Sequence, residues 1–373
     1  MLPSLHSVTP TGLQDQLKAW GEPVFRCNQV LDWLYRKRVG SLEEMYNCPK
    51  ALRQRLGDAY RFALPRCQQV QGSADTTRKY LWRLEDGALV ESVLIPANPA
   101  LYGEASDRHT LCVSTQVGCA YGCRFCASGL DGWKRNLEVH EIVGQLLAIE
   151  IHCREELSEG QDRKVNNLVI MGMGEPMANY DNLMKALDII NAPWGCHIGA
   201  RKITLSTSGL APQIEQLASQ PHQYRLAISL HGATDEVRSR IMPVNRKYPL
   251  PTLMQACESY VRAKGKMITF EYILIEGVND GDDQIQPLAR WAQQLHAKVN
   301  LIPYNHVEGL RWKRPDVATQ ETFLQGLLQL GVKATLRREK GHDIDAACGQ
   351  LRLKVEREEH PQGHPSGHSL QAG

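Results

Sequence analysis

Between Thr110 and Arg337, short β-branched runs alternate with stretches of helical periodicity, and no other feature of the 373-residue chain narrows its fold as much. The runs are "TLCVS", "NLVIM", "KITLS", "RLAISL", "MITFEYIL", "KVNLIP" and "KATLR". Between them, apolar residues recur at helical spacing: Val139, Ile142, Val143, Leu146 and Leu147; Leu253, Cys257, Tyr260 and Val261; Phe323, Leu324, Leu327 and Leu328. Strands that take turns with helices lie parallel, because each return needs a crossover that covers the sheet. Right-handed crossovers leave an open doubly wound sheet or a barrel. Polar residues recur just after the strands, in "GMGEP", "STSG", "SLH" and at Asn305. In a barrel these gather on the carboxyl-end rim, where active sites are built.

The preceding segment has another character. Leu13, Leu17 and Trp20 share a helix face, as do Val30, Leu31, Leu34 and Tyr35, and "SLEE" at Ser41–Glu44 has the form of a capping box opening a third helix. Residues 1–66 therefore read as a helical accessory domain. They hold ten Lys/Arg against six Asp/Glu, a local excess that the whole chain, at 43 against 41, does not show. Its Arg36, Lys37, Arg38, Lys50, Arg53 and Arg55 are candidate phosphate contacts. Strand-like "KYLWRL" and "ALVESVLIP" suggest a small linking sheet over 67–105. The Pro-, Gly- and His-rich end, with His360, His364 and His368, reads as a disordered tail over 353–373. No stretch approaches the roughly 18 apolar residues of a membrane span, and the first twenty residues lack a basic start followed by an apolar run. The expectation is a soluble cytoplasmic protein, with no membrane partner and a monomer by default.

Four of the 11 cysteines crowd into "CVSTQVGCAYGCRFCASG", three of them as Cys119-x3-Cys123-x2-Cys126. An odd total, with Cys27, Cys67, Cys153, Cys196 and Cys257 scattered singly, speaks against a disulfide framework. Three thiolates on one loop suit an iron-sulfur cluster, and Cys112 as a fourth sulfur leaves a four-cysteine zinc knuckle open.

The run after the first strand, with Phe125 between its last two cysteines, resembles the radical SAM superfamily. The segments "MGMGEPMANYDN", "ITLSTSG", "SLHGATDEVRSRIMPVN", "EYILIEGVND", "VNLIPYN" and "GHDIDAACGQL" resemble, in order, the signatures of the RlmN and Cfr RNA methyltransferases. So does "FRCNQVLDWLYRKRVGSLEEMYNCPKALRQRL" near the start, which extends the resemblance from about residue 23 to 352. It implies an α/β fold, a partial (β/α)6-type barrel over 106–352 with a helical N-terminal RNA-binding domain.

The resemblance also implies roles. Cys119, Cys123 and Cys126 would hold a [4Fe-4S] cluster, and Gly174, Glu175, Ser206, Ser229, Leu230, His231 and Asn305 would bind S-adenosyl-L-methionine (SAM). Cys348 would be methylated by a first SAM. A second SAM would yield the radical that activates this methyl for addition to an electron-poor adenine carbon. Cys112 would then deprotonate the adduct and close a disulfide with Cys348; Glu91 matches a proton acceptor. The implied reaction is methylation of adenosine C2 in 23S ribosomal RNA, with adenosine 37 of tRNA as a second candidate and an electron donor such as flavodoxin. A Cfr-like C8 methyltransferase conferring antibiotic resistance is the alternative, and a non-catalytic zinc-knuckle RNA-binding protein is the alternative of another class. Arg135, Arg238, Arg240, Arg246, Lys247, Arg337 and Arg338 are further candidates for phosphate contacts.

Overall fold

The structure, a computed structural model, describes residues 2–73, 76–97, 108–337 and 349–359. Its N-terminal part is helical: α1 (Pro10–Ala19), α2 (Phe25–Leu31) and α3 (Lys50–Ala59). Thr9 caps α1 by accepting from Gly12 N, with Pro10 in the first turn, where its missing N–H costs nothing. Leu13, Leu17, Val30, Leu31, Leu52 and Leu56 turn inward together. The third helix begins after Pro49, not at "SLEE". Residues 41–48 form bends and turns, and the Glu44 carboxylate accepts from Gly40 N. A helix started at Ser41 would meet Pro49 within two turns, and proline forbids the continuation.

Three strands follow, β1 (Arg66–Gly72), β2 (Arg78–Arg83) and β3 (Leu89–Pro96), paired antiparallel in sequence. They are not a separate small sheet. β3 pairs antiparallel with β4 (His109–Cys112), Val93 opposite Cys112, so the meander extends the edge of the main sheet. Beyond β4 come a short hairpin, β5 (Gln116–Gly118) and β6 (Trp133–Asn136), which flanks the cysteine loop, and then the parallel strands β7 (Asn167–Ile170), β8 (Ile203–Thr207), β9 (Arg225–Ser229), β10 (Thr269–Leu274), β11 (Lys298–Pro303) and β12 (Ala334–Leu336). The ten-stranded sheet runs β1-β2-β3-β4-β7-β8-β9-β10-β11-β12, parallel from β4 onward.

Helices α4 (Val139–His152), α5 (Tyr180–Asn191), α6 (Ala211–Ser219), α7 (Asp235–Ile241), α8 (Leu250–Lys264), α9 (Asp282–Gln294) and α10 (Val317–Gln329) connect the parallel strands. Most of the expected stripes are buried, namely Ile142, Val143, Leu146, Leu147, Leu253, Cys257, Tyr260, Phe323 and Leu327, while Val139, Val261 and Leu324 are half-buried and Leu328 is exposed. The capping box absent at Ser41 occurs on α4, where Glu138 and Glu141 satisfy each other's backbone.

A last helix, α11 (Gln350–Glu359), runs past residue 353, where a disordered tail was expected. Its Leu351 and Val355 bury against Leu81 and Leu89 of β2 and β3, an anchor that composition could not reveal. The three tail histidines lie outside the described residues. No described helix is long and apolar enough to cross a membrane.

Candidate active site

The carboxyl ends of the parallel strands surround a cavity of about 320 Å³. One wall is the loop between β5 and β6, with Cys119, Cys123, Phe125 and Cys126. Burial pushes the Cys119 thiol up to about 12 and raises Cys123 as well, and the neighbouring thiols add to both shifts. A cationic group among these sulfurs would reverse that balance.

The opposite wall comes from the ends of β8 and β9, with Ser206 and Ser229, and from the turns after β7, β9 and β11, with Gly172, Gly174, Glu175, His231 and Asn305. Gly174 has φ +97°, and a Cβ there would stand 2.5 Å from Gln116 Cβ, so only glycine fits. The next residue, Glu175, donates its N–H to Gln116 Oε1 (2.9 Å) and is nearly fully buried. Its Oε1 accepts from Thr207 Oγ1 (2.8 Å) and Met177 N (3.0 Å), and its Oε2 from Ser208 N (2.7 Å). Burial raises its pKa, a shift that these donors oppose. A carboxylate has about four lone-pair sites, so capacity remains for a cationic ligand.

Ser206 and Ser229, on adjacent strands, bring their hydroxyls within 3.4 Å. His231 accepts from Ile273 N through Nδ1 (3.1 Å), which puts the neutral ring's proton on Nε2. Burial drives its pKa down to about 3, so the imidazole is neutral at physiological pH and offers one donor. Its ring meets Phe125 edge-on, with centroids 5.0 Å apart. Asn305 accepts from the Arg314 guanidinium through Oδ1 (2.7 Å). Leu230 alone among the expected SAM contacts does not line the cavity. Its side chain is buried, its N–H donates to the Glu271 carbonyl, and its own carbonyl accepts from Arg238 Nε.

Several lining residues escaped the sequence reading, among them Thr207, Ser208, Glu271, Tyr304 and Tyr121. Glu271 left a usable signal, one acid inside the apolar strand "ITFEYIL". Asn300 Nδ2 donates to it (2.8 Å), and burial raises its pKa. Arg238 corrects an expectation. It is wholly buried, donating to the Leu230 carbonyl, Asn245 Oδ1 (2.7 Å) and the Ser208 carbonyl, so it braces the strand-end turns and is closed to phosphate. Arg135 is likewise committed, to Asp86 and Glu141. Arg240, Arg246, Lys247 and Arg337 are exposed. Arg337 also lines the cavity mouth.

Cys112 stands apart from the cavity wall; it is buried at the end of β4. Register pairs Lys79 with Val93, Leu81 with Glu91, and Val93 with Cys112, so Lys79, Glu91 and Cys112 share the sheet face that α11 covers. Cys348 and Arg338 lie outside the described residues. Gly349, which follows Cys348 in the chain, is described. It has φ +88°, and a Cβ there would come within 2.9–3.0 Å of Ser128 Oγ, Cα and N. The backbone at Gly349 thus rests on Ser128, two positions beyond Cys126.

Residues 113–291 match the family model of the radical SAM superfamily, and residues 4–61 that of the ribosomal RNA large subunit methyltransferase N-terminal domain. The chain is 53% identical over 357 residues to a probable dual-specificity RNA methyltransferase RlmN of Akkermansia muciniphila, covering 96% of this chain and 97% of the relative. It is also 53% identical to an RlmN 3 of the same description from Opitutus terrae, covering 95% and 96%. Among solved structures, a radical SAM methyltransferase from Sphaerobacter thermophilus superposes with a TM-score of 0.86 at 41% identity, over 93% of this chain and 98% of that one.

Proposed function

Because the chain belongs to the RlmN family of radical SAM RNA methyltransferases, we propose that it methylates C2 of adenosine in 23S ribosomal RNA, with adenosine 37 of tRNA as a second substrate, and that Cys348 carries the transferred methyl group. The family's cofactors are a [4Fe-4S] cluster and SAM, and the donor set fits them. Cys119, Cys123 and Cys126 would hold the cluster as thiolates, one short of full ligation, which leaves room for SAM. Glu175, Ser206, Ser229, His231 Nε2 and Asn305 face the same space with donors and acceptors suited to an ammonium, hydroxyls and a carboxylate. When bound, the cluster and SAM supply a 5′-deoxyadenosyl radical.

The protein's part is to bring the methyl-bearing thiol to that chemistry and to finish it. An amidine carbon such as adenine C2 is electron-poor and does not attack the methyl of SAM directly, so a carbon carried on sulfur must add to it as a radical. Cys112 would then remove the proton from the adduct, whose unpaired electron the cluster would take up. As a thiolate it would attack the Cys348 sulfur, so that the S–S bond forms as the sulfur–carbon bond to the methylated base breaks. The observation that carries this reading is the seat of Gly349 on Ser128, which ties the chain beside Cys348 to the cysteine loop. The N-terminal domain and the exposed Arg240, Arg246, Lys247 and Arg337 supply phosphate contacts, and the target base must leave its stack to enter the cavity. An electron donor such as flavodoxin reduces the cluster, and the chain works as a monomer in the cytoplasm. Mass spectrometry of nucleosides from cells with and without the protein tests the regiochemistry. Loss of 2-methyladenosine supports the proposal, loss of 8-methyladenosine supports the Cfr-like alternative, and loss of neither defeats both.

A further inference from the structure

A glutamate in an alternating edge-side strand ordinarily faces water, yet Glu91 is 2% exposed and does not line the cavity. Its carboxylate accepts three times: Oε2 from Gly349 N (2.8 Å) and from Lys79 Nζ (3.2 Å), and Oε1 from Arg352 N (2.7 Å). Gly349 precedes α11 and Arg352 lies in its first turn, so both amides belong to the set a helix start leaves without internal partners. In a capping box the helix satisfies those two positions with its own side chains. Here one carboxylate from β3, some 260 positions away in the chain, does both, and its charge is favoured at the amino end of a helix.

The same turn is tied to the cysteine loop by a second route. Arg352 is wholly buried, with its guanidinium 3.5 Å from Asp131 and hydrogen-bonded to Glu356 (2.6 Å). Asp131 stands five positions beyond Cys126, and the Gly349 backbone rests on Ser128 of the same loop. Three separate pieces of chain, the β2–β3 pair, the cysteine loop and the first turn of α11, therefore meet around Glu91 and Arg352.

We infer that Glu91 is a positioning residue: its carboxylate fixes the start of α11, and with it the chain leaving Cys348, against the cysteine loop, and it takes no proton from the substrate. A general base must face the reacting group, within about 3.2 Å between heavy atoms or through one water, whereas this carboxylate is held by two backbone amides and a lysine beneath a helix and does not line the cavity. The inference rests on the reading of Cys348 as methyl carrier. That reading fails if Cys348→Ala still methylates RNA; hydrogen exchange at residues 349–352 tests the latch by itself.

The experiment compares the cluster-loaded wild type with Glu91→Gln, Glu91→Ala and Gly349→Ala by amide exchange, RNA methylation across pH, and iron content. Glutamine cannot act as a base but retains one of the two capping acceptors, whereas alanine retains neither. Positioning predicts a graded series. Exchange at Gly349–Arg352 quickens about tenfold or more in Glu91→Ala and less in Glu91→Gln; methylation falls in the same order, and the residual activity of Glu91→Gln keeps the wild-type pH profile. Gly349→Ala leaves the Lys79–Glu91 pair in place and so guards against a simple folding failure; it should reproduce the fast exchange and the lost methylation. Equal inactivity of Glu91→Gln and Glu91→Ala with wild-type exchange in Glu91→Gln would overturn the inference in favour of proton transfer. So would wild-type exchange in both Glu91→Ala and Gly349→Ala.

Discussion

Glu175→Gln separates the structural role of this carboxylate from its proposed role in binding SAM. Thr207 Oγ1 accepts from Gly209 N (3.1 Å), so its single proton points to Glu175 Oε1, where Met177 N also donates. Ser208 N donates to Oε2. A glutamine amide must set its NH₂ against one side. Facing Oε1's donors it opposes two protons, so it turns toward Ser208 N, where two donors meet head-on. Leaving that buried N–H unsatisfied costs about 1–3 kcal/mol of stability. If Glu175 holds the SAM ammonium as proposed, the lost charge weakens SAM binding by a further roughly 1.5–3 kcal/mol, about 10- to 150-fold in Kd. Because burial raises the Glu175 pKa, the carboxyl protonates at a higher pH than an ordinary glutamate as acid is added. Wild-type SAM affinity should therefore fall as pH drops through that raised value, while Glu175→Gln should be flat there. The sign for stability is opposite: ionising the buried carboxyl costs stability above its folded pKa, and acid relieves that cost. Equilibrium dialysis of SAM against the anaerobically reconstituted protein, with parallel melting curves, measures both effects. Equal Kd, equal pH slope and equal Tm for the two proteins would refute the assignment of Glu175 to the ammonium.

Gly174→Ala places a Cβ 2.5–2.8 Å from Gln116 at φ +97°, so it should cost about 1–3 kcal/mol and weaken SAM binding while iron content is preserved; calorimetry and iron assay check this. Arg238→Met should lower stability by about 3 kcal/mol or more, because it strands the Ser208 carbonyl and Asn245 Oδ1 and leaves the Leu230 carbonyl with Gly232 N alone. By contrast Arg246→Ala, at an exposed position, should leave the melting temperature alone and reduce the salt slope of RNA binding by about one. A melting curve for each and filter binding over a salt series for Arg246→Ala separate the two arginines; an unchanged Tm in Arg238→Met would contradict its bracing role.

The parts legible in the sequence are those set by local periodicity or by one contiguous loop. Parallel strands alternating with helices, and three cysteines within eight positions, need no knowledge of distant residues. Charged residues were harder to read for one physical reason. Ionisable side chains are buried only where partners compensate them, and those partners lie far away in the chain. Arg238 looks like a phosphate ligand until the carbonyls of Ser208 and Leu230 and the amide of Asn245 converge on it. A glutamate in a strand ordinarily marks the face turned to water, but Glu91 shares its face with Leu89 and Val93, and α11 covers it. The Ser41 box failed for the complementary reason. Its spacing is right, but Pro49 fixes where a helix can begin, and one imino acid outweighs a cap worth about 1 kcal/mol. Local motifs thus predict backbone conformation until a residue with a larger energy intervenes. Buried charge marks the reverse case, where the long-range contact determines the local residue. Of the buried ionisable side chains, Glu175 and Glu271 line the cavity, Arg238 braces the turns beside it, and Glu91 and Arg352 meet at the first turn of α11. A substitution at Glu175, Arg238 or Glu271 should therefore be felt first at the cavity, and one at Glu91 or Arg352 first at Gly349, before either is felt in the N-terminal helices.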